Sequence, residues 1–271
     1  MKMAMGARWL AAGALASAAA SALLAGCAAP SQQQEASTEV MTPSDEPESR
    51  RRARIRLELA TGYYQEGKTE IALDELKQAI VADPTFGDAY NLRGLVYMRL
   101  GDNRQAEESF RRALAINPRD ANAHHNFGWL QCQLGRYPEA MRSFEQAMAH
   151  PLYPDRPKTL LAQGLCQARA GHLEEAERSL ARSYELDAGN PITGYNLARL
   201  LYTRGEYSRA QFYIRRLNNS ELANAETLWL GIKVENRMND RDAMAQLSEQ
   251  LRKRFAQSRE RQALDRKAFD E

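Results

Sequence analysis

Glycine returns along this chain at a nearly fixed interval. Gly67, Gly101, Gly135, Gly171 and Gly205 stand at steps of 34, 34, 36 and 34, and five residues beyond each stands an alanine: Ala72, Ala106, Ala140, Ala176 and Ala210. A period of that length marks an array in which each unit is one supersecondary element that buries its apolar face only by stacking on its neighbours. No single compact core is expected.

One unit reads "DAYNLRGLVYMRLGDNRQAEESFRRALAINP". Leu92, Leu95, Val96 and Leu100 fall at i, i+3, i+4 and i+8, one face of a helix, and Ala106, Phe110, Ala113 and Leu114 do the same after a turn. The unit is therefore helix, turn, helix. Gly94, Gly128 and Gly164 sit in mid-helix, where glycine costs about 1 kcal/mol relative to alanine, so close approach of the paired helix is expected, with Ala106 and its equivalents filling the matching side. The turn glycines suit a left-handed backbone. Pro84 and Pro118 end the second helix of their units.

In this order Tyr90, Gly94, Tyr97, Ala106, Phe110, Ala113 and Pro118 resemble the tetratricopeptide repeat. Units are placed at 53–86, 87–120, 121–156, 157–190, 191–223 and 224–257; the sixth holds Trp229, Gly231, Ala243, Leu247 and Phe255 but lacks the turn glycine. The resemblance implies an all-α fold, a right-handed superhelical solenoid of about twelve antiparallel helices with the first helix of each pair on the concave face. It also implies a protein that binds extended peptides or helices rather than one that performs chemistry. Residues 258–271 form a charged C-terminal tail or a helical extension.

The first 26 residues read as a secretory signal: Lys2 and Arg8 supply the positive region, "WLAAGALASAAASALLA" is apolar, and small residues precede Cys27. A membrane-spanning helix is the competing reading, with an apolar run of borderline length and rich in alanine. "LAGC" resembles the lipobox of bacterial lipoproteins, which implies acylation of Cys27; Ala28 in the next place implies sorting to the periplasmic face of the outer membrane. Two or more acyl chains hold stably where one does not. From Cys27 to Arg52 the chain is a polar tether, with Pro30, Pro43 and Pro47 and few large apolar side chains, reaching about 25 Å as a random coil. The run Arg50 to Arg52 is read as a solvated charge run opening a helix, or as a contact with anionic head groups.

With 37 Lys and Arg against 35 Asp and Glu, no large net field points to nucleic acid or to an acidic substrate. None of the GxSxG, GxxxxGK[ST] or HExxH motifs is present. His124 and His125 are adjacent, so on a helix they diverge and cannot chelate one ion. No cofactor, no metal, no small-molecule substrate and no enzymatic activity are expected. Cys132 and Cys166 lie on successive first helices, either as a disulfide or as two buried thiols. The third unit runs long and ends in "HPLYPDRP", an irregular corner that is a stiff loop or a shaper of the groove. Repeat places two, five, nine, twelve and thirteen put Tyr64, Asn91, Leu95, Met98, His125, Trp129, Tyr195 and Arg199 on the concave face, with Leu57, Thr61, Leu161, Leu165 and Tyr202 beside them. Such a face suits a partner that buries apolar anchors while its backbone bonds to Asn91 or His125.

The stretch "HHNFGWLQCQLGRYPEAMRSFEQAMAHPLYPDRPKTLLAQGLCQARAGHLEEAERSL" is similar to the type IV pilus biogenesis and stability lipoproteins of the PilF/PilW kind. The phrases that carry this are Asn126, Phe127, Gly128 and Cys132, then Pro151, Tyr153, Pro154 and Arg156, then Gly164, Leu165 and Cys166. His125 stands where that family often has a second asparagine. The resemblance implies a pilotin, which binds secretin subunits and promotes their localisation and multimerisation at the outer membrane. A scaffold for outer-membrane barrel assembly or an envelope proteolysis adaptor is the alternative of the same class. A hydrolase hidden in the groove is the alternative of enzyme class.

Overall fold

The computed structural model describes residues Asp45–Phe269 of the chain. Cys27, the signal segment and most of the tether lie outside the described residues. Among the described residues there are thirteen helices and no strand: α1 Glu48–Gln65, α2 Thr69–Ala82, α3 Gly87–Leu100, α4 Asn103–Ile116, α5 Ala121–Gln133, α6 Tyr137–Met148, α7 Arg156–Arg169, α8 Leu173–Leu186, α9 Pro191–Thr203, α10 Tyr207–Asn218, α11 Ala225–Met238, α12 Arg241–Arg254 and α13 Arg259–Asp265. The first twelve form six antiparallel pairs, and the chain is an all-α solenoid of tetratricopeptide units.

The turns between paired helices share a left-handed residue whose N–H bonds three places back, while a side-chain cap follows it at α4 and α12 and not at α2, α6, α8 or α10. Gly101 takes φ 77°, its N–H bonds to the Met98 carbonyl, and Asp102 then caps α4 by accepting from the Gln105 N–H at 3.1 Å. In the sixth unit Asn239 occupies the glycine place at φ 60°. Asparagine is the side chain that tolerates this conformation best after glycine, which is why the period survives the substitution.

Mid-helix glycines mark where two helices meet. A Cβ on Gly94 would stand 2.5 Å from the Phe110 ring, on Gly128 2.9 Å from Phe144, and on Gly164 2.7 Å from Leu180. The ring or branched side chain four residues past the conserved-register alanine therefore fills the recess, rather than the alanine itself. The alanine contributes by bringing its backbone close: the carbonyls of Ala140 and Ala176 lie 3.2 and 3.1 Å from the same points.

The backbones of successive first helices, α1, α3, α5, α7, α9 and α11, approach one another closely in sequence, while those of successive second helices stay further apart and meet only through long side chains such as Tyr184 and Tyr213. That asymmetry curves the stack and puts the first helices on its concave side.

The N-terminal end departs from the boundary expected, and the C-terminal end takes the form of the helical extension. Helix α1 starts at Glu48, inside the expected tether, because Arg50 ties it to the body: its guanidinium pairs with Asp83, reaches Thr85 Oγ1 at 3.1 Å and lies 4.9 Å above the Phe86 ring. Arg51 pairs with Glu48 and Arg56 with Glu75 at 2.8 Å, so the basic run belongs to a helix whose cations are largely matched by acids. At the other end α13 packs on α11 and α12, burying Leu264 among Leu228, Ile232, Leu247 and Leu251. Phe269 stacks on Trp229 with ring centroids 5.7 Å apart. The C-terminal segment is a capping helix and not a free tail.

Candidate functional site

The concave face is built from columns of residues one repeat apart. Leu57, Asn91, His125, Leu161, Tyr195 and Trp229 form one column, and Thr61, Leu95, Trp129, Leu165, Arg199 and Lys233 the next. Alternation between apolar, amide, aromatic and cationic groups along these columns gives the face its chemistry.

Its most regular feature is a ring covered by a cation from the following first helix. Arg99 of α3 lies 3.7 Å above the ring of Tyr64 in α1 and also donates to the Tyr64 carbonyl. Arg169 of α7 lies 4.9 Å above Trp129 of α5, and Lys233 of α11 sits 5.5 Å from the Tyr202 ring of α9. Arg99 and Arg169 occupy the same repeat place two units apart. Both stand at place thirteen, one of the places read as facing inward, although neither was singled out there.

Between Tyr64 and Trp129 the face is lined by Asn91, Leu95 and Met98. The Asn91 side-chain oxygen accepts from Asn126 Nδ2 at 3.0 Å, which leaves the Asn91 amide N–H donors for a partner. Leu95 and Met98 are half-buried against Phe110, Phe127 and Leu130, so each offers an edge rather than a whole side chain.

His125 is not part of the open face. It is 7% exposed. A chain of hydrogen bonds runs from its Nδ1 to Thr159 Oγ1 at 2.8 Å, from the Thr159 hydroxyl to Tyr153 Oη at 3.3 Å, and on to Asn122. Thr159 of α7 thus takes the hydrogen bond that a client backbone was expected to take, and Tyr153, from the proline-rich corner, accepts in turn from Thr159. Burial, with a smaller push from Lys158, lowers the His125 pKa to about 4. The corner is held in turn by Arg156, which donates to the carbonyls of Met148 and His150 at 2.8 and 3.1 Å.

Beside that joint, Cys132 and Cys166 are bonded as a disulfide between α5 and α7, with Cα atoms 5.8 Å apart. Both are buried. The bridge underlies the concave face where Trp129 sits and locks the third unit to the fourth.

At the C-terminal end Tyr195, Arg199, Tyr202, Trp229 and Lys233 line a cleft of about 390 Å³ that Glu226 and Glu260 complete. Burial beside Glu226 raises the Tyr195 pKa, and burial lowers that of Lys233. Both groups are thus held in low-dielectric surroundings where an added charge or hydrogen bond would count strongly. Arg199 stays exposed and donates to Asn196 at 3.2 Å.

No cluster of metal-ligating side chains is present among the described residues. The face offers ring planes, cations and amides in a shallow curved array, an arrangement suited to recognising a polypeptide.

Models of the tetratricopeptide repeat match residues 86–152 and 125–191, and a TPR repeat model matches 62–101. The type IV pilus assembly protein PilF of Pseudomonas aeruginosa is 30% identical over 206 residues, which span 76% of this chain and 82% of PilF. The chain belongs to the PilF/PilW family. The crystal structure of PilW, a widely conserved type IV pilus biogenesis factor, superposes with a TM-score of 0.72 at 31% identity and covers 78% of this chain and 97% of PilW. The solved structure of Pseudomonas aeruginosa PilF gives the same TM-score at 29% identity, over 81% and 99% of the two chains. As a PilF/PilW protein the chain is a repeat scaffold of the type IV pilus machinery, built for protein–protein interaction.

Proposed function

We propose that this PilF/PilW protein is a pilotin: an outer-membrane lipoprotein, anchored through acylated Cys27, that binds secretin subunits on its concave face and promotes their localisation and multimerisation. The observation that carries this reading is the continuous first-helix face, on which cation-covered rings recur from Tyr64 to Trp229. Rings and cations so paired supply apolar area and charge at fixed spacing, and each pair is worth about 0.5–1 kcal/mol at an exposed site. That energy holds the pairs in place within the chain, and a client segment laid along the face meets several of them together.

The lipobox at Cys27 supports the location, since binding lipid and client together raises the effective concentration of the client at the bilayer. No catalysis is assigned to the face; its groups hold.

Two experiments test this. Tyr64→Ala with Asn91→Ala should lower recovery of the secretin in cross-linked pull-downs from membranes while the melting curve stays near wild type; undiminished recovery moves the binding site elsewhere. Cys27→Ser, exported on a non-lipoprotein signal, should leave the domain folded and deplete secretin multimers from the outer membrane. Normal multimers there would remove the anchor from the mechanism.

A further inference from the structure

On the convex side α11 spaces the backbones of α10 and α12 apart. A cavity of about 360 Å³ opens between the two, away from the first-helix face. Glu235, Asp240 and Asp242 line it against one cation, Arg215, leaving two negative charges in excess. Arg215 is already engaged: it donates to both Glu235 oxygens at 2.7 and 2.9 Å and to Asp240 at 2.8 Å. The Asp242 carboxylate makes no ion pair among the described residues.

Asn218 gives the cavity its direction. It lines the space, is 6% exposed, and donates from Nδ2 to the Thr227 carbonyl at 3.0 Å. Its Oδ1 is buried without a hydrogen-bond partner. Turning the amide over would set two oxygens against each other at Thr227, so the acceptor stays where it is. A Cβ on Gly231 would stand 2.4 Å from Asn218 Nδ2, and the absence of one lets the amide lie there. A buried acceptor left without a donor is costly, and an excess of carboxylates beside it favours a donor that carries positive charge.

We propose that this cavity recognises a basic side chain, lysine or arginine, presented by a partner protein. Asn218 Oδ1 and the Asp242 carboxylate accept from its N–H groups, while Ile214 and Leu247 line its methylene stem. The site is separate from the concave groove, so the two can be occupied at once, and it does not depend on the identity of the client there.

The test is a titration of the isotope-labelled full-length chain with Nα-acetyl-arginine amide and Nα-acetyl-lysine amide, followed by NMR at the Asn218 side chain and the Gly231 amide. The neutral control is Nα-acetyl-citrulline amide. Saturable shifts with at least one basic probe are expected, with a dissociation constant on the order of 1 mM, weakened by added salt and absent with citrulline. Asp242→Asn, at an exposed position that leaves the fold intact, should weaken binding about threefold. The proposal fails if neither basic amide shifts those resonances, if citrulline shifts them equally, if Asp242→Asn binds like wild type, or if a crystal grown with arginine amide shows only water on Asn218.

Discussion

Nδ1 of His125 lies 2.8 Å from Oγ1 of Thr159, 34 residues further along the chain. This bond joins α5 to α7 at the place where the third unit runs two residues long, and with the disulfide beside it the joint is held at two points. The long unit thus interrupts the register of the repeat without loosening the stack.

His125 makes the stability of the chain depend on pH in a definite window. Its folded pKa is lowered to about 4 from 6.5, so between these values the unfolded chain binds the extra proton and acidification favours unfolding. The contribution is full above pH 6.5 and is lost as pH falls through about 4. Between pH 7 and 4.5 the wild type should lose about 2 kcal/mol more than His125→Gln, measured by urea unfolding of both at each pH. Equal losses would show that His125 is not held neutral.

The disulfide closes a loop of 34 residues, for which the chain-entropy model assigns about 3–4 kcal/mol. Cys132→Ala with Cys166→Ala should shift the urea midpoint downward accordingly and make the transition insensitive to dithiothreitol. A mutant as stable as the oxidised wild type would show that packing alone holds α5 to α7.

Two glycines in first helices should respond in opposite directions to the same substitution. Gly94→Ala drives a methyl into the Phe110 ring at 2.5 Å and should destabilise by about 1–3 kcal/mol. Gly62→Ala meets nothing within 4 Å and should stabilise by about 0.5–1 kcal/mol through helix propensity. Thermal melts of the pair decide it; a gain for both would mean that propensity and not contact governs these positions.

Glu235 is fully buried and held by Arg215 and by Gln211 at 2.8 Å. Arg215→Ala removes the cation and leaves the carboxylate buried with only an amide donor, so a loss of about 3–5 kcal/mol is expected. Replacing both residues, Arg215→Met with Glu235→Leu, should recover most of that loss. A double variant as unstable as Arg215→Ala would mean that the pair itself, and not the stranded charge, supports the fifth and sixth units.

The periodic glycines and alanines carried the architecture because the repeat is local physics copied six times. A left-handed turn needs Gly101 or Asn239, a close crossing needs Gly94, and each requirement is satisfied within one unit and its neighbour. Helix pairs, turn positions and the choice of inward columns were therefore readable from spacing alone, and Tyr64, Asn91, Leu95, Met98, Trp129, Tyr195 and Arg199 do lie on the first-helix face. The possible pairing of Cys132 with Cys166 was also visible, since successive first helices are adjacent.

Spacing could not say which members of a column stay open. His125 shares a column with Asn91 and Tyr195, yet it is buried and bonded to Thr159, whose hydroxyl reaches Tyr153 of the proline-rich corner. Nor does register pair Arg99 with Tyr64 or Arg169 with Trp129, because a long cationic side chain reaches a ring according to the twist between neighbouring helices. The early start of α1 and the packing of Phe269 on Trp229 likewise depend on contacts made at the two ends of the stack, where no further unit enforces the pattern. Sequence alone determined the repeated unit, because its constraints are short-range and recur; tertiary structure decided exposure and partnership, because these arise where distant segments meet once.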